Sequence, residues 1–171
     1  MIDLLLQVEK ELPALLTSYD GWNSLNIDYS FPVVERIWRQ WGEYRINLHK
    51  IYPIPVKSEI RCEDEDEDEN EALWHSHNWP SAIKILSGKQ QMSIGTKDKI
   101  VGTFQLTKNC IYEMVNMDGY HAVAPIDKPS LSIMISGKPW TIEPKEELTK
   151  KLKPLTAEKF SALFSTFKLY C

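Results

Sequence analysis

Glycine and cysteine are both scarce in this chain, with seven and three copies respectively in 171 residues. So few glycines leave no phosphate-cradling loop, and no G-x-x-x-x-G-K-[ST] run occurs. There is also no G-x-S-x-G elbow, no H-E-x-x-H and no C-x-x-C. Cys62, Cys110 and Cys171 are odd in number and widely spaced. That fits a reducing, cytoplasmic setting better than a disulfide framework, with a secreted protein carrying one unpaired thiol as the alternative. No apolar run reaches the roughly 20 residues that a membrane-spanning helix needs. The start, MIDLLLQVEKELPALL, is apolar but carries Asp3, Glu9, Lys10 and Glu11 and has no basic n-region, so it does not read as a signal peptide. A net charge of -4 gives no electrostatic reason to expect nucleic acid. With 43% hydrophobic and 26% charged residues, the chain has the composition of a globular protein. Its length suits a single domain, residues 1–171, with a core able to stabilise itself.

Apolar spacing predicts an amphipathic helix over residues 2–16, with Leu4, Leu5, Val8, Leu12 and Leu15 near one face and Pro13 placed to kink or end it. The stretch YDGWNSLNIDYSFPVVE reads as irregular. Strand-like alternation begins near Tyr44, in YRINLHKIYPIPV. The acidic run at 62–71 reads as a solvated loop, with a cation or basic-partner site as its functional alternative. Short strands follow: ALWHSHN, SAIKILSG, QQMSIGT, IVGTFQL, CIYEMV, YHAVAP and LSIMISG, with turn formers between them. Such a series argues for an antiparallel sandwich or barrel. From Pro144 the period becomes helical, giving a C-terminal helical end over 145–168 broken at Pro154. Thr156 and Glu158 suit the start of the last helix, and Phe160, Leu163, Phe164 and Phe167 form its apolar stripe.

Within the strand region, three of the four histidines form a metal-site pattern. His75 and His77 stand as H-S-H at the head of WHSHNWPSAIKILSG, and His121 follows in YEMVNMDGYHAVAP. Residues two apart on a strand point to one face. A third imidazole from a neighbouring strand completes a facial set suited to Fe(II), Zn(II), Ni(II) or Cu(II). The plainer alternative is a pair of surface histidines. Trp74 and Trp79 flank the pair, and Tyr120 alternates away from His121 towards the core.

The run from about Tyr44 to Trp140 resembles the cupin superfamily. His75, His77 and Gly88 match its first motif, with Ser81 where a ligand glutamate usually stands, and Gly119 and His121 match its second. The glutamate-free first motif, AIKILSG and GYHAVAPIDKPSLSIMISGKPW together resemble the cysteine dioxygenase branch, the three-histidine thiol dioxygenases. The resemblance implies a mainly β fold: a cupin double-stranded β-helix, or jelly-roll barrel, over about 44–140, with N-terminal and C-terminal helices. It implies Fe(II) on His75, His77 and His121, with a small-molecule substrate and O2 as partners. Zn, Ni or Mn is the alternative metal. The branch's serine–histidine–tyrosine relay falls on Ser132, Met134 and Ser136, so only the serine matches. Its carboxylate-binding arginine lies upstream of H-x-H, where Arg36 and Arg39 are nearest.

Arg45, Asn47 and His49 share one face of their strand. Lining the barrel, that face offers charge and donors to an anionic substrate; otherwise it is a solvent-facing polar side. With Ser132, these make Arg45 and His49 the candidate catalytic residues. Lys84 is expected to point away from the site, Arg61 to be a loop residue, and Tyr112, Met114 and Met134 to line the pocket or the core. Three functions are compatible with these residues. The first is a cytoplasmic, metal-dependent oxygenase acting on a small thiol or carboxylate-bearing substrate, with neither nucleic acid nor membrane as partner, as a monomer or homodimer. The second is a metal-dependent isomerase or lyase of the same fold. The third is a non-enzymatic small-ligand binder.

Overall fold

The computed structural model describes residues 1–55, 71–140 and 152–170. Arg61, residues 62–70 of the acidic run, residues 145–151 of the expected C-terminal helix, and Cys171 lie outside the described residues. In chain order the elements are α1 (Ile2–Leu15), β1 (Asn23–Ile27), β2 (Val34–Trp41), β3 (Tyr44–Ile51), β4 (His75–Ser76), β5 (Ser81–Ser87), β6 (Lys89–Thr96), β7 (Lys99–Thr107), β8 (Ile111–Met114), β9 (Tyr120–Pro125), β10 (Ser130–Ser136) and α2 (Ala157–Lys168). Among the described residues, no helix is long and apolar enough to cross a membrane.

The strands form two antiparallel sheets, β1-β2-β3-β10-β5-β8 and β4-β9-β6-β7. The expectation of a jelly-roll barrel is therefore corrected. The fold is mainly β and cupin-like with helices near both ends, but its sheets do not close on each other. Closure needs uninterrupted strand pairing with a consistent stagger. Here the chain changes sheets at corners that interrupt the ladders. Gly88 (φ 82°), Asn109 (φ 72°) and Asp127 (φ 62°) all take left-handed backbone at these corners. At Gly88 a Cβ would lie 2.9 Å from the Cα of Ser130, so the corner also needs glycine for space. Two of the sheet edges, β4 and β8, are only two and four residues long.

The central strands of the six-stranded sheet, β3, β10 and β5, are buried on both faces, and the faces differ in chemistry. Ile37 of β2, Ile46 and Leu48 of β3, Ala82 of β5, and Ile133 and Ile135 of β10 join one apolar core with both helices. α1 lies against β5, β8 and β10 through Leu5, Val8 and Leu12, and α2 packs on β2. Pro13 does not end α1. It stands in the last turn, so only one hydrogen bond of the helical ladder is lost to it. Lys84 points to this side, as expected, and pairs with Glu9 of α1 at 2.5 Å. In α2, the Thr156 hydroxyl caps the helix by accepting from the Lys159 N–H at 3.3 Å, and Leu163, Phe164 and Phe167 are buried as expected while Phe160 is half-buried. Residues 152–156 are not helical; Lys153 instead bridges Asn26 of β1.

The sheet also contains two strands that the sequence reading did not expect: β1, inside the stretch expected to be irregular, and β2, which begins at the end of that stretch and runs on to Trp41. In β2 the polar and aromatic residues Arg36 and Trp38 alternate with buried Glu35 and Ile37. No apolar-in, polar-out alternation arises, because both faces of the strand are covered.

Phe164 is fully buried between α2 and the sheet, against Trp22 and Tyr19. Phe164→Ala should lower unfolding free energy by about 3–5 kcal/mol, measured by urea denaturation, because the rings around it cannot collapse into the space.

Candidate metal centre

The inward face of the six-stranded sheet carries the alternate residues: Arg36 and Trp38 of β2, Arg45, Asn47 and His49 of β3, and Ser132, Met134 and Ser136 of β10. Register places His49 opposite both Arg36 and Ser132, and Arg45 opposite Ser136. The solvent-facing alternative for His49 is thereby overturned, since His49 is 7% exposed and Asn47 is fully buried.

The histidine cluster is assembled by one short pairing. β4 pairs antiparallel with β9, setting His75 directly opposite His121, and β6 supports β9 from the other side through Ile94. His77 follows β4 immediately. The Nε2 atom of His121 lies 3.2 Å from that of His75 and 3.2 Å from that of His77. Ligand nitrogens of the three rings all lie within 4.8 Å of one another. An ion about 2.1 Å from two imidazole nitrogens, at an angle between about 90° and 110°, separates them by roughly 3.0–3.4 Å. The spacing therefore fits a shared metal.

Hydrogen bonds behind the rings support the same conclusion. His75 Nδ1 lies 2.9 Å from the Leu73 carbonyl, which only accepts, so His75 carries its proton there and presents a lone pair at Nε2. His77 Nδ1 lies 2.8 Å from the Ser81 hydroxyl. Ser81, standing where the resemblance places a ligand carboxylate, thus orients a ligand instead of being one. Three imidazole nitrogens turned to one point favour a cation between them. Burial pushes His121 well below the ordinary histidine value, and the neighbouring His75 and His77 lower it further, so it stays neutral and able to ligate. Trp74 has a supporting role, its indole N–H donating to the carbonyls of Thr96 and Lys97 at the β6–β7 turn while its ring rests on Tyr120.

Cationic and donor groups surround the cluster. Arg36 donates from Nε to His49 Nε2 at 2.8 Å. Burial lowers the Arg36 guanidinium to about 10, with nearby Arg45 contributing, so it remains charged at neutral pH. His49 is pushed well below its ordinary value, first by burial, then by Arg36, His77 and Arg45. Arg45 is held between the rings of Trp38 and Trp79, at 5.5 and 5.3 Å, and Trp79 stands 6.2 Å from the His77 ring. Tyr112 of β8 reaches the cluster with its ring 6.3 Å from that of His121, and burial raises its phenol so that it stays protonated.

Of the two upstream arginines, Arg36 faces the site. Arg39 faces the helices and lies over Trp22, 5.6 Å from the ring. Ser132 is buried beside His49, whereas Ser136 accepts from the Asn47 amide at 3.3 Å. The partnership of Arg36 with His49 was not readable from sequence, because it depends on the unforeseen strand β2. Cys110 sits at the β7–β8 corner, where its Sγ accepts from the Thr107 N–H, and takes no part in the site.

This is a cupin-like fold carrying a three-histidine cluster able to hold a metal. No protein-family model matches the chain, and no curated protein matches it. Solved structures do. Hydroxypropylphosphonic acid epoxidase from S. wedmorenis superposes with a TM-score of 0.50 at 14% identity, covering 70% of this chain and 57% of that one. A structure of FeII HppE gives 0.51 at 11% identity, with 70% and 58% covered. A further one, FeII HppE in complex with substrate, gives 0.51 at 12% identity with the same coverage. The chain thus spans under three fifths of the length of these proteins. The likeness establishes the fold and does not single out the thiol dioxygenase branch.

His49 and His121 are both held neutral in the folded protein and can take up protons once unfolded. Metal-free protein should therefore keep its full stability above about pH 6.5 and lose it as pH falls below that value, by up to about 1.4 kcal/mol per pH unit for each such histidine. His49→Gln should reduce that slope by one histidine's share, measured by urea denaturation at a series of pH values.

Proposed function

We propose that this chain is a single-domain, metal-dependent oxygenase of a reducing compartment, acting on a small anionic thiol or carboxylate. Fe(II) is the favoured metal, on the Nε2 atoms of His75, His77 and His121. The observation that carries this reading is the convergence of three imidazole nitrogens beside two partly buried arginines. Bound there, Fe(II) supplies the activation of O2 for oxidation of the substrate. Three neutral ligands leave the metal's full positive charge uncompensated, which favours an anionic substrate over a neutral one.

The remaining chemistry belongs to the inward face of β2, β3 and β10. Arg45 supplies the charge that attracts the substrate's anionic end. His49 accepts from Arg36 at Nε2, so as a neutral ring it carries its proton on Nδ1 and is a hydrogen-bond donor to bound substrate. Ser132, opposite His49, adds a hydroxyl donor. The rings of Trp79 and Tyr112 border the cluster. A thiol as the oxidised group is favoured by the sequence resemblance to the thiol dioxygenases.

A second reading is a metal-dependent isomerase or lyase using Zn, Ni or Mn at the same histidines as a Lewis acid. Met134 favours it, because it stands where the thiol dioxygenases carry the histidine of their relay.

Reconstitution with Fe(II) should give one bound iron per chain and oxygen consumption with a member of a panel of small thiols and carboxylates. His121→Ala should abolish both. Turnover that continues under strict anaerobiosis selects the isomerase or lyase, and failure to bind any first-row metal removes both readings. Ser81→Ala should weaken metal binding by roughly 10- to 100-fold while leaving the fold intact, measured by competition with a chromogenic chelator.

A further inference from the structure

A cleft of about 550 Å³ opens at the β1 edge of the six-stranded sheet, away from the histidines. Trp22, Leu25, Trp38, Leu155 and Phe160 line it, and Arg45 contributes its one charged group. It is a shallow, open depression and not an enclosed cavity, so an occupant would rest against one wall.

The polar groups of this wall are mostly engaged within the protein. The Trp22 indole N–H donates to the Leu15 carbonyl at 3.1 Å, and the Ser24 hydroxyl accepts from the Leu155 N–H at 3.1 Å. Arg45 is the exception. Among the described residues no carboxylate pairs with it, and its buried Nε has no hydrogen-bond partner. The guanidinium carbon lies over the Trp38 ring at 5.5 Å and over the Trp79 ring at 5.3 Å. Arg45 is partly buried, and a cation partly removed from water without a counter-ion gains from an anion in the cleft.

We propose that this cleft is a second small-molecule site, distinct from the metal centre, for a monocarboxylate carried on a flat apolar body. Arg45 is the one cation among the described residues that line the cleft, which selects a single carboxylate, for which its planar fork is suited. Two indoles and a phenyl ring select a flat partner. The site shares Arg45 with the function proposed above but needs no metal. Through Arg45, Trp79 and His77 its occupant stands one aromatic ring away from the metal ligands.

The test is ¹⁹F NMR titration of metal-free protein with 4-fluorobenzoate and its neutral counterpart, 4-fluorobenzamide. The acid should bind saturably and the amide at least ten-fold more weakly. Ala157→Trp, at an exposed cleft position on the first turn of α2, should weaken the acid at least ten-fold while metal uptake by the histidines stays at the parent level. Arg45→Gln should weaken the acid to the level of the amide, and Ala157→Ser should leave its binding unchanged. Equal binding of acid and amide overturns the proposal, as does acid binding that survives Ala157→Trp. Acid binding that disappears in His75→Ala also overturns it, by placing the probe at the histidines. Because no metal or turnover enters this titration, its result is separable from the fate of the oxygenase reading.

Discussion

Two helices cover one face of the six-stranded sheet, and the chemistry of the other face depends on that cover. Leu5, Val8, Leu12, Leu163, Phe164 and Phe167 bury the apolar residues of β2, β3, β5 and β10 in a single core. Hydrophobic burial of this kind is the main stabilising term in folding. With stability supplied from the helical side, the inward face can carry Arg36, Arg45, Asn47 and His49, which contribute little to packing. These groups are held by local bonds, such as Arg36 to His49 and Asn47 to Ser136, and by stacking on tryptophan.

The metal centre uses very little secondary structure. A two-residue strand, paired to the start of β9, brings two distant parts of the chain together. Precision comes from behind the rings: the Leu73 carbonyl and the Ser81 hydroxyl each hold an Nδ1 atom and aim the opposite nitrogen at a common point. Such supporting bonds set ring orientation and ligand basicity at metal sites. Burial keeps His121 neutral, so a cation meets a lone pair and not a competing proton.

The inward face has more positive charge than a structural role requires. Two partly buried guanidiniums, the neutral rings of His49 and His121 and a protonated phenol make a region that attracts anions and supplies donors to them. The same imbalance underlies both proposed sites, one at the histidines and one at the β1 edge, with Arg45 between them. The open architecture contributes as well. Because the sheets do not close, β1 is left as an edge strand that a cleft can border.

The sequence by itself determined the elements whose periodicity was clean. The apolar spacing of α1 and α2, the Thr156 cap, the inward pairing of His75 with His77, and the outward turn of Lys84 all follow from local geometry, because side-chain direction has a fixed period in helices and strands. The separation of the sheets was not legible, since it is set by corners at Gly88, Asn109 and Asp127 and by which strand edges find partners. Nor were β1 and β2, whose residues do not alternate between apolar and polar when both faces are covered. Whether the face of His49 lines the interior or meets solvent was likewise left open by the sequence. Only tertiary packing decided it, by laying helices on the opposite face, and the same packing brought Arg36 against His49 and His121 against His75. Those contacts join residues far apart in the chain, and their geometry comes from strand register and layer packing, which local spacing does not encode.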